Sequence, residues 1–544
     1  GIITDPDGNP LPGVTVSVTS VAIMGPQTYV STETGAFRFP ALPPGTYKLT
    51  AEMTGFKTFV RENLIVRVGM TVTVDFAMEV ATVEEEVTVT AASPTVDVQS
   101  TKIAVVMDGA LLKNLPLARD LYDIMTAAPG AISEGATYRR TYVIHGGTVR
   151  SNTTAFDGVN MNDPVVMYTI TNINFDVMDE VESITAGLPA SVGYTDGAYV
   201  NIVTKSGGNK FSGGAVAYFQ NKSMAQQLWT DEQVTALGVA KPEVSKTWID
   251  GSLTFGGPVM IDKLWFFTNA RYIKQERITN FIGPYTDVLG YTHNPYNWTH
   301  QEQMGFFKLT GQLGSKIKLM GMFNYTGIYR PMYEEPGART CFIATRVWDH
   351  ETGYTGNAVL NYIFDQNTFV DLRFGLVRRW FPIPMQPGDP QDWPRVYDRG
   401  SLYGYVTTAR FNETYLRKRW QTGAYFTRFQ DNLLGGNHEF KGGVEYEDTY
   451  GDWDWWRKDN MIWYIDSTNA DHWYYDGTAG RVYFYICGPE SGSNRIIDRG
   501  GRIGAYIQDS ATFAERLTVN IGIRFDRSWG WKPAVDKAQA GNPT

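Results

Sequence analysis

The chain has 544 residues, is rich in glycine and aromatic residues, and carries a formal charge of −9. Its 55 Gly, 31 Tyr, 28 Phe and 15 Trp favour strands over helices, and its 57 acidic against 48 basic residues exclude the broad basic surface of a nucleic-acid-binding protein. With only two cysteines, the sequence also excludes a disulfide scaffold and any four-cysteine metal site.

Residues 1–79 combine turn dipeptides with short alternating runs. The dipeptides DG at residues 7–8 and PG at residues 12–13 are turn signals, and the run VTVSVT that follows alternates valine with hydroxyl side chains. The stretches GAFRFPALPPGTYKLTAEMTGFKTFV and LIVRVGMTVTVDFAME continue the same pattern. The sequence therefore predicts a small β-sandwich in this region.

Residues 80–92 link this unit to the next one, and they contain the run EEEVTVTAA. Its alternating β-branched residues predict a strand. The backbone N–H and C=O groups of a strand need a partner. Two interpretations are open here. The run is either the last strand of the sandwich or the first strand of the next domain, or it pairs with a strand from another protein.

Residues 93–210 have a mixed α/β pattern. The stretch GALLKNLPLARDLYDIMTAAPG predicts a helix that ends at Pro129 and Gly130, and glycine-rich turns then alternate with short strands. The glycines do not have the GxxxxGKS/T or GxGxxG spacing between a strand and a helix. The region is therefore not predicted to bind phosphate.

Residues 211–544 consist of long alternating strands. The run RLTVNIGIRFDR shows the pattern: Val519, Ile521 and Ile523 face one way, and polar residues face the other. In a sandwich the polar face would point to water, whereas in a membrane barrel it points to the lumen and the apolar face to lipid. We expect lipid or detergent, and no second sheet, against the apolar face.

The lengths of the connections separate these two interpretations. Short turns recur at GGPVMIDK, LGSK, FDQNT, DNLLGGN and FAER, whereas the connections at about residues 276–303, 381–416 and 451–500 are long. This asymmetry is typical of an outer-membrane β-barrel. The pattern gives about eleven strands, an odd number, and an open edge is not tolerated in lipid. We therefore expect the N-terminal part of a barrel that further residues or another component complete.

In this order the segments resemble the TonB-dependent outer-membrane receptors, in particular the Oar-like branch, which carries a carboxypeptidase-regulatory-like domain ahead of the plug. The resemblance covers essentially the whole chain and depends on DPDGNPLPGVTVSVTS, TGAFRFPALPPGTYKLTAEMTGF, SNTTAFDGVNMNDP, VESITAGLPASVGYTDGAYVNIVTKSGGNKFSG and FGGPVMIDKLWFF. It implies a mainly β fold with a β-sandwich at residues 1–79, a linker at 80–92, an α/β plug domain at 93–210, and an antiparallel transmembrane β-barrel at 211–544. The last would be the N-terminal part of a barrel of about 22 strands.

The resemblance also implies a function, which is TonB-dependent active transport of a bulky substrate across the bacterial outer membrane, with the N-terminal domain in the periplasm. The implied partners are TonB with its inner-membrane energising complex, outer-membrane lipid, and a peptide, protein, oligosaccharide or chelate as substrate. Nucleic acid is not among them. The linker strand then occupies the position of the TonB box, which TonB binds by strand addition. The candidate TonB-box residues are Glu85, Glu86, Val87, Thr88, Val89, Thr90 and Ala91.

The resemblance has one departure, because His145 and Gly146 stand where related plugs often have Arg-Gly. No contact made by that arginine is therefore carried over to this chain.

The stretch at residues 452–488 has more aromatic residues than a solvated loop needs, so its rings must be buried somewhere. They form either a small core within the loop or a stacking surface that faces the lumen and binds a ligand. The ligand-binding candidates are Trp453, Trp455, Trp456, Trp473, Tyr474 and Tyr475 in this stretch, and Asn160 and Tyr168 at the plug apex.

Cys341 and Cys487 are predicted in the third and fifth long loops, on the exterior, where a disulfide persists. They are a disulfide candidate, and the alternative is two unrelated packing residues. No two of the six histidines have the spacing of metal ligands, and the sequence has no GxSxG motif of a serine nucleophile. The sequence therefore predicts no enzyme activity, no cofactor and no metal site. The alternative function is an outer-membrane adhesion or scaffold protein without transport.

Overall fold

The structure is a computed structural model of the chain. It describes residues 1–20, 22–23, 25–40, 42–81, 86–89, 101–114, 119, 121–134, 141–148, 150–166, 169, 171–193, 195–224, 230, 232, 244–278, 285–286, 292–293, 297–314, 316–331, 347–384, 395–398, 412–456, 461–465, 483–486, 496–513 and 517–531. Among these residues, no helix is long and apolar enough to cross a membrane.

The N-terminal strands form the predicted β-sandwich. They are β1 (Ile3–Thr4), β2 (Thr15–Thr19), β3 (Gln27–Val30), β4 (Gly45–Glu52), β5 (Thr58–Val66), β6 (Phe76–Ala77) and β7 (Glu86–Val89). Five of them form one sheet in the order β3-β2-β4-β5-β7, and β1 pairs in parallel with β6. Because side chains alternate along a strand, Val16 and Val18 of β2 enter one buried core with Tyr47 and Leu49 of β4. Burial of this apolar face holds the sandwich together.

The plug follows the sandwich. Its elements are β8 (Ile103–Asp108), α1 (Gly109–Asn114), α2 (Leu121–Thr126), β9 (Ala131–Glu134), β10 (Thr141–Ile144), β11 (Thr153–Phe156), β12 (Val159–Asn160), β13 (Met178–Ala186) and β14 (Tyr199–Thr204). Five of the strands form a mixed sheet in the order β12-β11-β14-β13-β8, with β11 and β14 parallel. The apolar residues of this sheet form the core of the plug.

The single helix predicted in the plug is two short helices instead. Pro116 lies between α1 and α2 in the sequence. Proline lacks a backbone N–H and disfavours a helical conformation in the residue before it, so the sequence does not favour one continuous helix through residues 109–126. The first helix begins after Asp108, whose carboxylate accepts hydrogen bonds from the N–H groups of Ala110 and Leu111 at 3.1 and 2.9 Å. This is an N-cap, and the sequence analysis did not identify it.

The remaining strands are those of the barrel wall and of its long loops. They are β15 (Ser212–Asn221), β16 (Val244–Met260), β17 (Leu264–Ile278), β18 (Tyr285–Thr286), β19 (Thr292–His293), β20 (Asn297–Leu313), β21 (Ile317–Arg330), β22 (Trp348–Asp365), β23 (Thr368–Ile383), β24 (Arg395–Asp398), β25 (Asn412–Leu433), β26 (Gly436–Trp456), β27 (Met461–Ile465), β28 (Tyr483–Ile486), β29 (Ile496–Phe513) and β30 (Leu517–Trp531). Eleven of them form one antiparallel sheet in the order β15-β16-β17-β20-β21-β22-β23-β25-β26-β29-β30. The predicted number of wall strands is confirmed.

The two faces of the eleven-stranded sheet differ as the alternation predicted. On the outer face Ile521 and Ile523 are 69% and 71% exposed, and no second sheet covers them in the part of the chain that the structure describes. The inner face contacts the plug, since Phe267, Phe306 and Met322 belong to the same buried core as the plug strands. The apolar outer face is therefore the one that meets lipid.

The long connections lie at one end of the wall strands and contain strands of their own. Strands β24, β27 and β28 come from two different long connections and form a three-stranded sheet. The prediction that residues 452–488 form one loop is wrong at its beginning, because β26 continues to Trp456. The sequence DWDW preserves the period of a strand, so the wall extends about two pairs of residues further than expected.

The sandwich lies against the short-turn end of the barrel sheet. Arg38 forms an ion pair with Asp431 beside the turn between β25 and β26, and its guanidinium lies 5.0 Å from the ring centroid of Phe429. A second contact joins the sandwich to the plug, where the N–H of Val68 donates to Oε2 of Glu180 at 2.8 Å. The N-terminal domain is thus on the side opposite the long loops.

Candidate functional site

The candidate TonB box is an edge strand of the sandwich. Strand β7 pairs in parallel with β5, with Val87 opposite Phe59 and Val89 opposite Arg61. The sequence left two interpretations open, and the pairing of β7 is that of the last strand of the sandwich. The segment is extended, as strand addition by a partner requires, but it is already paired along one edge. The other edge of β7 has no paired strand among the described residues.

The base of the plug carries a buried carboxylate next to this region. Burial raises the pKa of Glu180 from its ordinary value of 4.5 to about 7, and the hydrogen bond from the Val68 N–H opposes part of that rise. Nearby, Lys102 donates to the carbonyl of Gly69 at 2.8 Å and pairs with Glu182 at 3.1 Å. The sandwich is therefore fastened to the plug by polar contacts, and one of them includes a group that titrates near neutral pH.

Buried polar groups also fasten the plug to the barrel wall. The ammonium group of Lys308 on β20 donates to the carbonyl and hydroxyl oxygens of Thr204, both at 2.9 Å, and lies 3.4 Å from Asp157. The hydroxyls of Thr171 and Thr355 are 3.0 Å apart. An interface that is largely polar is more easily separated than an apolar one of the same size, because water can replace its hydrogen bonds.

The arginines of the wall extend this polar interface. Arg271 of β17 holds the carboxylate of Asp250 in a two-point contact at 2.8 and 2.7 Å, and it donates to Asn174 of the plug at 3.2 Å. Arg417 of β25 lies 3.4 Å from Asp163 near the plug apex. The two-point pair with Asp250 lies within the wall and fixes the direction of Arg271, which then contacts Asn174 of the plug.

Asn160 is part of this interface and is buried. Its backbone N–H and C=O contact the side-chain amide of Gln421 on β25 at 3.2 and 2.9 Å, and its side-chain oxygen accepts from the N–H of Asn162 at 2.9 Å. It therefore holds a turn of the plug against the wall. The other apex candidate, Tyr168, lies outside the described residues.

Three parallel rings line the inner wall beside the plug apex. Phe381 of β23, Tyr415 of β25 and Trp453 of β26 stand opposite one another in the register. The ring centroids of Phe381 and Tyr415 are 4.3 Å apart with an interplanar angle of 6°, and those of Tyr415 and Trp453 are 5.5 Å apart at 17°. We call these three residues the aromatic wall. Tyr415 is stacked between the other two rings, so a flat apolar group or a sugar ring can stack only on the end rings, Phe381 and Trp453.

Charged groups flank the aromatic wall. The guanidinium of Arg379 lies 4.8 Å from the ring centroid of Phe381 and pairs with Glu351, and the guanidinium of Arg417 lies 5.3 Å from the ring centroid of Tyr415. The indole N–H of Trp453 and Oε2 of Glu351 are buried without a hydrogen-bond partner in the described part of the chain. Buried polar atoms are usually satisfied, so these two are exceptions in the inner wall.

Trp453 is a predicted site residue, whereas Phe381 and Tyr415 were not predicted from the sequence. Both were assigned to a long connection, whereas β23 extends to Ile383 and β25 begins at Asn412. The signal was present in the alternation of NETYLRKRW, in which every second residue faces the lumen.

Most of the other predicted site residues lie outside the residues that the structure describes. Trp455 and Trp456 belong to β26, and Glu86, Val87, Thr88 and Val89 belong to β7. Outside the described residues lie Glu85, Thr90, Ala91, Trp473, Tyr474, Tyr475, Cys341 and Cys487. Within the described ranges, no three histidine, cysteine or carboxylate side chains are grouped as metal ligands would be.

Comparison with known families assigns two parts of the chain. Residues 1–79 match the carboxypeptidase regulatory-like domain, and residues 203–289 match an outer membrane beta barrel domain. The TonB-dependent transporter Oar of Myxococcus xanthus is 26% identical over 95% of this chain and 56% of its own length. These matches make the chain similar to TonB-dependent outer-membrane transporters along most of its length. It spans about half the length of the curated relative that it matches.

Solved structures of TonB-dependent receptors and outer-membrane transporters have the same fold. The outer membrane transporter YddB from Escherichia coli matches with a TM-score of 0.58 and 13% identity over 78% of this chain and 56% of its own. The FpvA receptor of P. aeruginosa, solved with bound pyoverdines, matches with a TM-score of 0.54 and 15% identity over 79% and 52%. The siderophore receptor PirA from Acinetobacter baumannii matches at 0.52 and 14% over 78% and 56%. The match to an outer membrane beta barrel domain confirms the predicted outer-membrane location, and the relatives with the same fold are outer-membrane transporters and receptors.

Proposed function

We propose that the protein imports a bulky solute across the outer membrane with energy delivered through TonB. The observation that carries the proposal is the plug, which is fastened inside the barrel sheet through buried polar contacts such as those of Lys308. A protein that only adheres to a partner needs a stable barrel and loops. A plug held by exchangeable hydrogen bonds is what a transporter needs, because the plug must move for the solute to pass.

We propose strand β7 as the site that TonB contacts. The strand is extended, lies at the edge of a sheet, and stands upstream of the first plug strand. TonB can either add a strand to the outer edge of β7 or displace β7 from β5. Displacement of β7 from β5 requires little free energy, since the pairing involves 4 residues and parallel pairs are somewhat weaker than antiparallel ones.

The aromatic wall supports a solute with a flat or sugar-like ring. Two of the structures with the same fold are a siderophore receptor and a receptor with bound pyoverdines. A chelate of that kind, an oligosaccharide or an aromatic peptide each has a ring that can stack on the face of Trp453 turned away from Tyr415. The three classes share this chemistry, and the wall does not separate them.

Binding of the purified periplasmic domain of TonB to the full chain tests the proposal without knowledge of the solute. Val89→Pro removes the backbone N–H and fixes φ, so it should abolish binding. Val89→Ala is the matched control: it keeps the N–H and shortens the side chain, and it should bind within a few-fold of the wild type, because backbone hydrogen bonds supply the affinity. Both variants should assemble the barrel normally.

Either of two results would contradict the proposal. One is equal binding of TonB by the wild type and by Val89→Pro, which would place the TonB contact elsewhere. The other is no measurable binding of TonB by the wild type, with or without a solute. That second result would favour the adhesion or scaffold function.

A further inference from the structure

A row of cationic and aromatic side chains crosses the outer, lipid-facing surface of the barrel sheet. The register places six residues directly opposite one another on six successive wall strands. In order from β22 to β30 they are Tyr354, Arg378, Lys418, Tyr450, Arg499 and Trp531. We call this set the cationic row.

The cationic row faces outward. On the same face of their strands as Arg378, Lys418 and Arg499 stand Leu376, Trp420 and Ile503, which are 44%, 37% and 46% exposed. Since side chains two or four residues apart on a strand share a face, the three cations point to the lipid side and not to the lumen.

The row lies at the long-loop border of the apolar band. Arg499 is close to the first residue of β29, and Trp531 is the last residue of β30. Outer-membrane barrels carry aromatic residues at this border, and a cation costs little there but about 2–4 kcal/mol at the middle of the membrane. The row is therefore at the headgroup level of the outer leaflet.

The three cations interact with rings and not with carboxylates. Arg378 lies 6.0 Å from the ring centroid of Tyr354, Lys418 and Arg499 lie 5.4 and 5.5 Å from that of Tyr450, and Arg499 lies 5.7 Å from that of Trp531. In the part of the chain that the structure describes, none of the three has a carboxylate within ion-pair distance.

The arrangement has an electrostatic cost that an anion would remove. Arg378 and Lys418 are directly opposite each other on neighbouring strands, and like charges in that position are destabilising. An anionic group bound between Arg378 and Lys418 would attract both side chains and so offset their mutual repulsion. Arginine and lysine together are the side chains that most often bind phosphate oxygens in proteins.

The adjoining cleft fits a sugar. It is lined by Asp448, Arg499, Gly500, Trp529 and Trp531. Asp448 accepts a hydrogen bond from the indole N–H of Trp420 at 2.9 Å, which leaves its second oxygen for another donor. A carboxylate between tryptophan rings accepts hydroxyl groups while the rings pack against a pyranose. The neighbouring Asp452 is engaged by the hydroxyl of Tyr450 at 3.0 Å.

We propose that the cationic row binds the phosphate groups of a phosphorylated glycolipid in the outer leaflet, with its sugar in the cleft beside Asp448. Phosphorylated glycolipid is the main lipid of that leaflet in many bacteria, and the row faces that leaflet. A phospholipid headgroup would supply the phosphate but would leave the cleft empty. The site is on the outer surface, so the inference is independent of import and of the TonB contact.

The test measures binding of diphosphoryl lipid A to the full chain in detergent micelles. The wild type should bind diphosphoryl lipid A more tightly than the same lipid without its phosphates, and the difference should shrink as sodium chloride is added. Arg378→Gln, Lys418→Gln and Arg499→Gln combined should weaken binding of the diphosphoryl lipid about a hundredfold, since each cation near an anionic headgroup contributes about a factor of five. The double variant Arg378→Lys and Arg499→Lys keeps the charges and should retain most of the affinity.

The matched control neutralises three exposed lysines at the opposite border of the sheet, Lys210, Lys263 and Lys316, by glutamine. It should bind the diphosphoryl lipid as the wild type does. Equal affinity of the wild type for lipid A with and without phosphates would overturn the proposal, and this result does not depend on whether any variant folds. Equal loss in the control and in the row variant, or tighter binding of phosphatidylglycerol than of diphosphoryl lipid A, would also overturn it.

Discussion

Replacing Lys308 by methionine should loosen the plug in the barrel. The ammonium group makes two hydrogen bonds of 2.9 Å to Thr204 and lies 3.4 Å from Asp157, and the lysine is 4% exposed. Methionine has a similar length and no donor, so the variant preserves the packing and removes the charge. The Asp157 carboxylate then keeps only the hydrogen bonds from the N–H and hydroxyl of Thr204, at 3.0 and 2.6 Å.

The size of the effect on the free energy of plug opening depends on the Asp157 carboxylate, which stays buried when the Lys308 charge is removed. Removal of one partner of a buried ion pair costs about 3–5 kcal/mol, because the other charge is left without compensation. Since Asp157 keeps two hydrogen bonds, we expect the lower end, about 3 kcal/mol, in the free energy of local plug opening. At a factor of ten for each 1.4 kcal/mol, strand β14 should be open about a hundred times more often.

Hydrogen exchange of the backbone amides in residues 199–205 measures this opening in the full chain. The control is Lys274→Met, which removes an exposed lysine whose ion pair with Glu276 is 2.8 Å long and lies at the surface. Surface pairs contribute little, so the control should exchange as the wild type does. If the β14 amides of Lys308→Met exchange at the wild-type rate, the buried contact does not hold the plug and the argument is refuted.

Two further predictions concern the lumen and the base of the plug. Trp453→Ala removes one ring of the aromatic wall and should weaken binding of the imported solute about tenfold without affecting barrel assembly. The control Trp380→Ala changes an outward-facing ring and should leave the affinity for the solute unchanged. Equal affinities of the two variants would mean that the aromatic wall has no role in binding. Because the pKa of Glu180 is raised from 4.5 to about 7 in the folded plug, the folded state keeps a proton between these pH values that the unfolded chain has already released. The plug base should therefore lose stability as the pH rises from about 5 through 7. Glu180→Gln should remove this dependence, measured as exchange at Val68 corrected for the intrinsic rate; an unchanged pH profile would contradict the assignment.

Local patterns made the architecture predictable. Alternation in RLTVNIGIRFDR has a period of two, and this alone identifies the strand and its lipid-facing side, which Ile521 and Ile523 confirm. Turn chemistry fixed the short connections, and their contrast with the long ones indicated a membrane barrel. These signals lie within a few residues of one another, so they need no knowledge of distant contacts.

The site depended on distant contacts and was therefore mostly missed. Phe381, Tyr415 and Trp453 are far apart in the sequence, and only the register of three long strands brings their rings together. The pairing of β7 with β5 was one of two open interpretations, because a short β-branched run does not reveal which edge it joins. Asn160 stays a predicted ligand contact, and in the structure its side-chain oxygen accepts a hydrogen bond from the N–H of Asn162 within a turn of the plug.

The attachment of the sandwich has a mechanical consequence for a pull on β7. The ion pair of Arg38 with Asp431 anchors the sandwich to the barrel rim, so the first part to yield is the short pairing of β7 with β5. About a dozen residues separate β7 from β8 in the sequence, and a fully extended segment of that length reaches roughly 45 Å, which is the longest distance over which it can pass tension to the plug. Tension then acts on β8, which among the described residues is an edge strand paired with β13 alone. A load at the end of an edge strand peels its hydrogen bonds one after another, so the plug would come apart from β8 inward instead of leaving the lumen as one rigid piece.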